Sequence, residues 1–329
     1  MKRRIVFIAE YKLNNDNISI KSNNLEFLTY DYYQSILRAL NDNHYDYLIY
    51  NNIEDFLINI SYHKKDLVFS LWSGTVLRGR KAYIPAICEA YNIQYIGSSA
   101  YTNFLCADKY LTKKYCEDFG MISAKSVLIN KLDQIDLLDS LQYPLIVKPN
   151  FEGGSIGISE KSFVSNKQEA IEILTELKRT FDDKILVEEF LPGKEITVVV
   201  INRQNKICIL GENLIMLDGK EMINNDIFSL EKKKQDINRC SKKVVSLLSK
   251  EDKEIIKSIC SSFDKADYIR VDGKVYNGKF HLIELTPDAS LSLHSSMYNI
   301  FQSKGYTHAG MINYLINLSI ENSSNSKCQ

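Results

Sequence analysis

The first hundred residues alternate short apolar runs with stretches of helical period, and few folds accommodate that alternation. Ile5-Val6-Phe7-Ile8 reads as a short buried strand, residues 32–40 as a helix, and Tyr47–Tyr50 and residues 67–71 as further strands. A helix over residues 82–91 and a last apolar step at Tyr95-Ile96-Gly97 follow. Strands that are apolar throughout and separated by helices belong to a parallel sheet covered on both faces. Residues 1–103 are therefore expected to form an N-terminal Rossmann-like domain.

Beyond that point the pattern changes. A helix over residues 108–120 closes at Gly120, and hairpins around one long helix, residues 168–179, then predict a small mixed subdomain over residues 104–191. Residues 192–320 read as a third unit. It has strands at 195–201 and 206–210, a long helix within 241–262, a hairpin around Asn277-Gly278 and two C-terminal helices. The polar stretch 213–238 reads as a loop or lid, and residues 321–329 as a disordered tail. The expected fold class is thus α/β combined with α+β.

Composition narrows the partners. The 41 basic residues balance 41 acidic ones, so no long-range field favours nucleic acid or an anionic membrane, and small molecules are the expected partners. Seven scattered cysteines with no Cys-x-x-Cys pair fit reduced thiols, which implies a cytoplasmic setting. The apolar core of the N-terminus is too short for a signal peptide, and nothing approaches the roughly 20 apolar residues of a membrane span.

Three segments carry candidate chemistry. In Tyr143-Pro-Leu-Ile-Val-Lys-Pro-Asn-Phe-Glu-Gly-Gly-Ser-Ile-Gly-Ile158 a buried strand ends at Lys148 and runs into a glycine-rich turn. Glycines let backbone N–H groups approach anionic oxygens, and a lysine adds a point charge, so this is a candidate phosphate cradle; a plain hairpin turn is the alternative. It lacks the Gly-Lys-Ser/Thr of a Walker loop. The second segment, residues 185–200, sets Glu188, Glu189 and Glu195 in an apolar run, where carboxylates suit a ribose or an exocyclic amine, or else a solvated edge.

The third segment is Tyr268-Ile-Arg-Val-Asp-Gly-Lys-Val-Tyr-Asn-Gly-Lys-Phe-His-Leu-Ile-Glu-Leu-Thr286. Strand alternation puts Arg270 and Asp272 on one face. A three-residue loop, Asn277-Gly278-Lys279, sets Asp272 directly opposite Glu284, whereas a two-residue Asn-Gly turn puts the carboxylates on opposite faces. In the first register two acids and an arginine converge, as Mg²⁺ on a polyphosphate requires; a pair of acids held by Arg270 is the alternative.

In this order and spacing the three segments resemble the ATP-grasp superfamily, in its D-alanine-D-alanine ligase branch. Further matching pieces are Ile93-Gln-Tyr-Ile-Gly-Ser98, Ala107-Asp108-Lys109 with Thr112-Lys113, and Leu293-His294-Ser295. The resemblance implies an ATP-grasp fold: a central lid subdomain and a C-terminal domain with a metal site, following the Rossmann-like domain. It implies ATP and Mg²⁺ as cofactors, carboxylate and amine substrates of amino-acid type, and a possible homodimer.

Residue by residue, Lys109 and Lys148 look like the lysines that touch ATP phosphates, under a mobile loop of Gly153, Gly154, Ser155 and Gly157. Glu188 would bind the adenine amine, helped by the backbone of Glu189 and Leu191, and Glu195 the ribose. Asp272, Glu284 and Thr286 fall at the metal-ligand positions, Arg270 at that of the catalytic oxyanion stabiliser. Ser295, with His294, would hold the carboxylate end of a substrate.

At a metal position the chain departs from the family pattern, which leaves the number of metal ions open. It departs as well at positions that hold the first D-alanine, where the lid also lacks the usual aromatic run, and these departures point away from D-alanine. Thr286 stands in place of an asparagine and Gly154 in place of a serine. Glu10 is the candidate for an N-terminal glutamate, and the loop from Trp72 to Arg80 lacks the usual acidic, glycine-bearing pattern. The expected function is an ADP-forming carboxylate-amine ligase working through an acyl phosphate. The alternatives are a catalytically inactive nucleotide-binding module and a dinucleotide-dependent oxidoreductase, and Ala9-Glu10-Tyr11-Lys12 supplies no glycine fingerprint for the latter.

Overall fold

Among the described residues three larger sheets carry the chain, beside a two-stranded pairing of Tyr11–Lys12 with Leu28–Thr29. The computed structural model describes residues 3–13, 26–74, 78–221 and 240–325. The first sheet orders its strands Tyr47–Tyr50, Ile5–Ile8, Leu67–Ser70 and Gln94–Tyr95, all parallel. Ile5 to Ile8 is wholly buried, as a strand covered on both faces must be. The helix Tyr30–Asp42 starts two residues before its expected position because Thr29 caps it, its side chain accepting from the Tyr32 N–H. Its buried face, Tyr33, Ile36 and Leu40, shares a core with Met311, Ile312 and Leu315 of the C-terminal helix His308–Asn325.

The second sheet is antiparallel, in the order Phe163–Val164, Leu145–Pro149, Ile185–Glu189 and Ser126–Ile129. The long helix Lys167–Phe181 closes over it, burying Ala170, Leu174 and Leu177 against Val147 and Val187.

The third sheet runs Cys240–Val245, Lys206–Leu217, Lys194–Arg203, Tyr268–Tyr276, Lys279–Thr286 and Ile122–Ser123. Only its last pair is parallel.

Three expectations need correction. Residues 213–217, read as part of a loop or lid, finish the strand Lys206–Leu217; residues 222–239 lie outside the described residues. The long helix within 241–262 is the shorter Lys250–Ser261, and Cys240–Val245 before it is a strand. The tail read as disordered from residue 321 is helical through Asn325. Asn322 ties it down, donating to the Asn202 carbonyl at 2.8 Å and to Asp267 at 2.9 Å. Among the described residues six cysteines are free of disulfides, and no helix is long and apolar enough to cross a membrane.

Candidate active site

One face of the large sheet gathers the charged residues, and strand alternation explains how. Arg270, Asp272 and Lys274 alternate along Tyr268–Tyr276, with Thr197 opposite Asp272 and Glu195 opposite Lys274 on one neighbouring strand. On the other neighbour Glu284 faces Asp272 and Thr286 faces Arg270.

Arg270 grips Asp272 with two nitrogens, Nε to Oδ1 at 2.9 Å and Nη2 to Oδ2 at 2.7 Å, and lies 3.8 Å from Glu284. Burial works against the Arg270 charge, but Asp272 and Glu284 reverse that and raise its pKa. For Asp272, burial and the neighbouring Glu284 carboxylate push the pKa up against the pull of Arg270.

The small antiparallel sheet supplies the opposite wall. Lys148 stands opposite Leu186, and Glu188 opposite Ile146, so the two side chains share a face. Lys148 and Lys113 each donate to one oxygen of Glu188, all three groups being buried. Burial alone would raise the Glu188 pKa; the two lysines outweigh it and hold the carboxyl at about 2.

Lys109 and Lys113 are four residues apart on the helix Lys109–Glu117 and therefore share its buried face. The Lys109 ammonium donates to the carbonyls of Asn150 and Glu152, tying the helix to the glycine-rich loop. Burial, with Lys148 nearby, lowers its pKa.

These residues line a cavity of about 780 Å³, within the range of small-molecule sites. Lys109, Lys148, Ser155, Glu188, Glu189, Leu191 and Glu195 all line it. So do Arg270, Asp272, Glu284, His294 and Ser295.

The other four expected residues lie elsewhere, Gly157 lining neither cavity. Gly154 and Thr286 line a second cavity of about 670 Å³, and Gly153 lines neither. A Cβ on Gly153 would come 2.7 Å from Glu26 Oε1, so a side chain there would have to displace the end of Glu26. Arg270, Ser290, Ser292, Leu293 and His294 line both cavities, which places Arg270 where they meet.

Two expected roles are narrowed. The Glu189 N–H is taken by the Lys125 carbonyl at 2.9 Å and the Leu191 carbonyl by Lys274 at 2.9 Å, which reduces what these two backbones can offer a base. Ser295 caps the helix Ser296–Ser303, its hydroxyl accepting from the Tyr298 N–H at 3.0 Å.

Glu10, the candidate N-terminal glutamate, stands apart from the cavities. It lines neither cavity; Glu26 lines the second, beside Lys81 and Asp288. Lys81 reaches Asp288 at 2.5 Å and Glu26 at 3.6 Å, and Arg80 bridges Glu26 at 2.7 Å to Glu152 at 3.0 Å. Burial opposes the Lys81 charge, yet the two carboxylates raise its pKa. Sequence reasoning missed Glu26, Arg80, Lys81, Asp288 and Lys113. The available signals were the loop from Trp72 to Arg80, which lacks the family's acidic, glycine-bearing pattern, and Lys113 among the matching pieces.

Among the described residues no three of His, Cys, Asp or Glu cluster as a metal-binding group. Asp272 and Glu284 provide two hard oxygen donors, with the Thr286 hydroxyl 3.4 Å from Asp272 Oδ2. That set is too small for an all-protein metal cage but suits a cation whose remaining ligands are phosphate oxygens and water.

Comparison with known proteins places the chain in a family. Relatives include the D-alanine–D-alanine ligase of Pelagibacter ubique, 26% identical over 289 residues, covering 86% of this chain and 90% of that one. The D-alanine–D-alanine ligase of Flavobacterium psychrophilum is 28% identical over 236 residues, covering 70% and 68%.

Among solved structures, the D-alanine–D-alanine ligase of Bacillus anthracis complexed with ATP superposes with a TM-score of 0.73 at 20% identity, covering 99% of this chain and 100% of the other. VanG, the D-Ala:D-Ser ligase of Enterococcus faecalis, gives 0.70 at 18%, covering 97% and 100%. Likeness at such identities speaks for the fold. A family model described as the D-ala D-ala ligase C-terminus matches residues 117–317, well over half of the chain. The protein belongs to that family and is a ligase of the ATP-grasp fold that forms a C–N bond.

Proposed function

We propose that this ligase activates a carboxylate with ATP and joins it to an amine, on substrates other than a pair of D-alanines. The observation that carries the reading is the placement of Asp272 and Glu284 opposite each other beside Arg270, in the same cavity as Lys109, Lys148 and Glu188. The Bacillus anthracis relative, whose structure is complexed with ATP, has the same fold.

In this reading ATP occupies the first cavity. Glu188 accepts from the exocyclic amine and Glu195 from the ribose, and Lys109 and Lys148 meet the phosphates under the Gly153-Gly154-Ser155 turn. Asp272 and Glu284, with Thr286 beside them, hold Mg²⁺, which neutralises charge on the phosphates. The carboxylate substrate takes the γ-phosphoryl group as ADP leaves; the amine then attacks the acyl phosphate and expels inorganic phosphate.

Phosphoryl transfer calls for positioning and charge neutralisation rather than a protein nucleophile, which suits a site of lysines, carboxylates and one arginine. Arg270, at the meeting of the two cavities, faces the oxygen that becomes negative when the amine attacks.

The second cavity takes the substrates. Glu26, Asp288 and Lys81 offer it both signs of charge, which matches the ammonium and carboxylate of an amino acid. Ser295 lines the first cavity at a helix N-terminus, next to His294, which both cavities share, and provides a polar end for a carboxylate that reaches across their junction. The glycine at 154 and the loop from Trp72 to Arg80, whose Arg80 pairs with Glu26 and Glu152, are the departures from the family's D-alanine pattern that support this reading. A panel of amino acids, alone and in pairs, screened for phosphate release from Mg-ATP and followed by product mass, tests the reading. A product one water lighter than its two substrates supports it; release with no coupled product rejects it.

A further inference from the structure

Glu188 holds two lysines, whereas the nucleotide reading above, on which this inference rests, leaves it only one. Lys148 donates to Oε1 and Lys113 to Oε2. Lys148 is also the lysine that reading sends to a phosphate. Lys113 lies one helical turn past Lys109 and is 2% exposed, and Glu188 is its only recorded hydrogen-bond partner among the described residues.

When Lys148 turns to a phosphate, a carboxylate only 6% exposed would lose a cation. Without any cation, burial drives such a group to take up a proton. Of the other charged groups near it, Lys274 feels the Glu188 carboxylate through space, as it does Glu195 opposite it on the next strand, but its ammonium donates to the Leu191 carbonyl, and Glu284 belongs to the opposite wall.

We propose that Lys113 is a positioning residue for the nucleobase, staying on Glu188 Oε2 in the nucleotide-bound state so that Oε1 acts as an acceptor only and the site takes a 6-amino purine over a 6-oxo purine. A 6-amino group donates to a carboxylate. A 6-oxo oxygen would set lone pair against lone pair. A protonated carboxyl presents both an O–H and a C=O and so accepts either base, and that is the state Lys113 prevents.

Binding of adenosine diphosphate and inosine diphosphate to the full chain, measured by calorimetry at pH 6 and pH 8, tests this. The wild type should prefer the adenine nucleotide by about 10-fold or more. Lys113→Met should weaken adenine binding and bring the preference to within about 3-fold, more completely at pH 6, and Lys113→Arg should restore it. A folded Lys113→Met protein that keeps the wild-type preference at both pH values overturns the proposal.

If Lys113→Met does not fold, Lys113→Gln, which removes the cation but keeps Glu188 and a neutral donor beside it, takes its place. A wild-type preference in that protein equally overturns the proposal, and a collapsed one supports it. A wild type that binds neither nucleotide removes the nucleotide reading and this inference together; a defect confined to the Lys113 variants leaves that reading standing.

Discussion

Glu284 faces Asp272 because Ile283 is bulged out of the ladder between their strands. The hairpin turns on two residues, Asn277 and Gly278, and pairs Tyr276 with Lys279 and Gly273 with Leu282; it then passes over Ile283 to pair Asp272 with Glu284. Without the bulge, strand alternation would carry Glu284 to the far face. Bulges are common beside active sites for this reason: one extra residue re-aims a side chain. The sequence reading reached the right pairing through a three-residue turn that is not there.

Arg270 is bound to Asp272 through two nitrogens, so its role depends on a planar fork. Arg270→Ala should lower the rate of product formation by about 10² to 10³, as loss of one oxyanion donor does. Arg270→Lys should not restore it, since an ammonium cannot hold two oxygens in that geometry. A lysine variant at near-normal rate would leave Arg270 as simple charge compensation.

Glu26 tests the second cavity as the substrate site. Glu26→Gln should raise KM for the amino-acid substrate about 10-fold or more by weakening a charge-assisted bond, while KM for ATP changes little. Steady-state kinetics with each substrate varied separately would separate the two. An effect on ATP alone would move Glu26 to the nucleotide side.

The contrast between Glu26 and Asp272 shows which parts of the site were legible. Asp272 and Glu284 lie in an alternating strand pair, where periodicity fixes faces, and Lys148 and Glu188 close strands whose apolar runs were plain. Glu26 sits in a polar stretch without period, and its partner Arg80 is 54 residues away; no local pattern announces such a pair.

The fold shows the same division. Ile5–Ile8 and Tyr47–Tyr50 were read residue for residue because each is a short apolar run, although only Ile5–Ile8 is wholly buried and Tyr47–Tyr50 is the half-buried edge of the sheet. The strand Lys206–Leu217 was cut short at its polar centre. There Glu212 is 2% exposed and accepts from the Leu247 and Leu248 N–H groups at 2.5 and 3.0 Å, so an acid that looks like a loop signal is a buried tie.

Gly157 is required by its backbone and its neighbours alike. Its φ is +74°, and a Cβ there would meet Pro149 Cγ at 2.5 Å and Phe181 at 2.9 Å. Gly157→Ala should cost about 1–3 kcal/mol. Gly154→Ala, at φ +60° but with no atom within 4 Å of a Cβ, should cost about 1 kcal/mol. Denaturant unfolding of both variants checks the order; equal losses would contradict it.

Asp66 anchors the first sheet from its end. It accepts from Arg4 at 2.8 Å and from His63 Nδ1 at 2.8 Å, and His63 Nε2 lies 2.8 Å from Tyr50 Oη. Burial pushes the Asp66 carboxyl up, but the bonds from Arg4 and His63 more than reverse this and leave it below its ordinary value of 3.8. A carboxyl depressed in the fold stabilises fully above its ordinary value, and that contribution is lost as pH falls through the folded value. Asp66→Asn should therefore cost about 1–2 kcal/mol at pH 7, and its deficit against the wild type should shrink as pH falls below about 4. A deficit independent of pH in urea unfolding would show that the charge is not what matters.

The most direct measurement is ADP formation from Mg-ATP with a competent pair of substrates, in wild type, Asp272→Asn and Glu284→Gln proteins of matched melting behaviour. Two opposed carboxylates gathering a cation at the phosphates predict that either change lowers turnover by at least about 10²-fold. Wild-type rates of ADP formation in both variants would contradict the metal site and the phosphoryl transfer built on it.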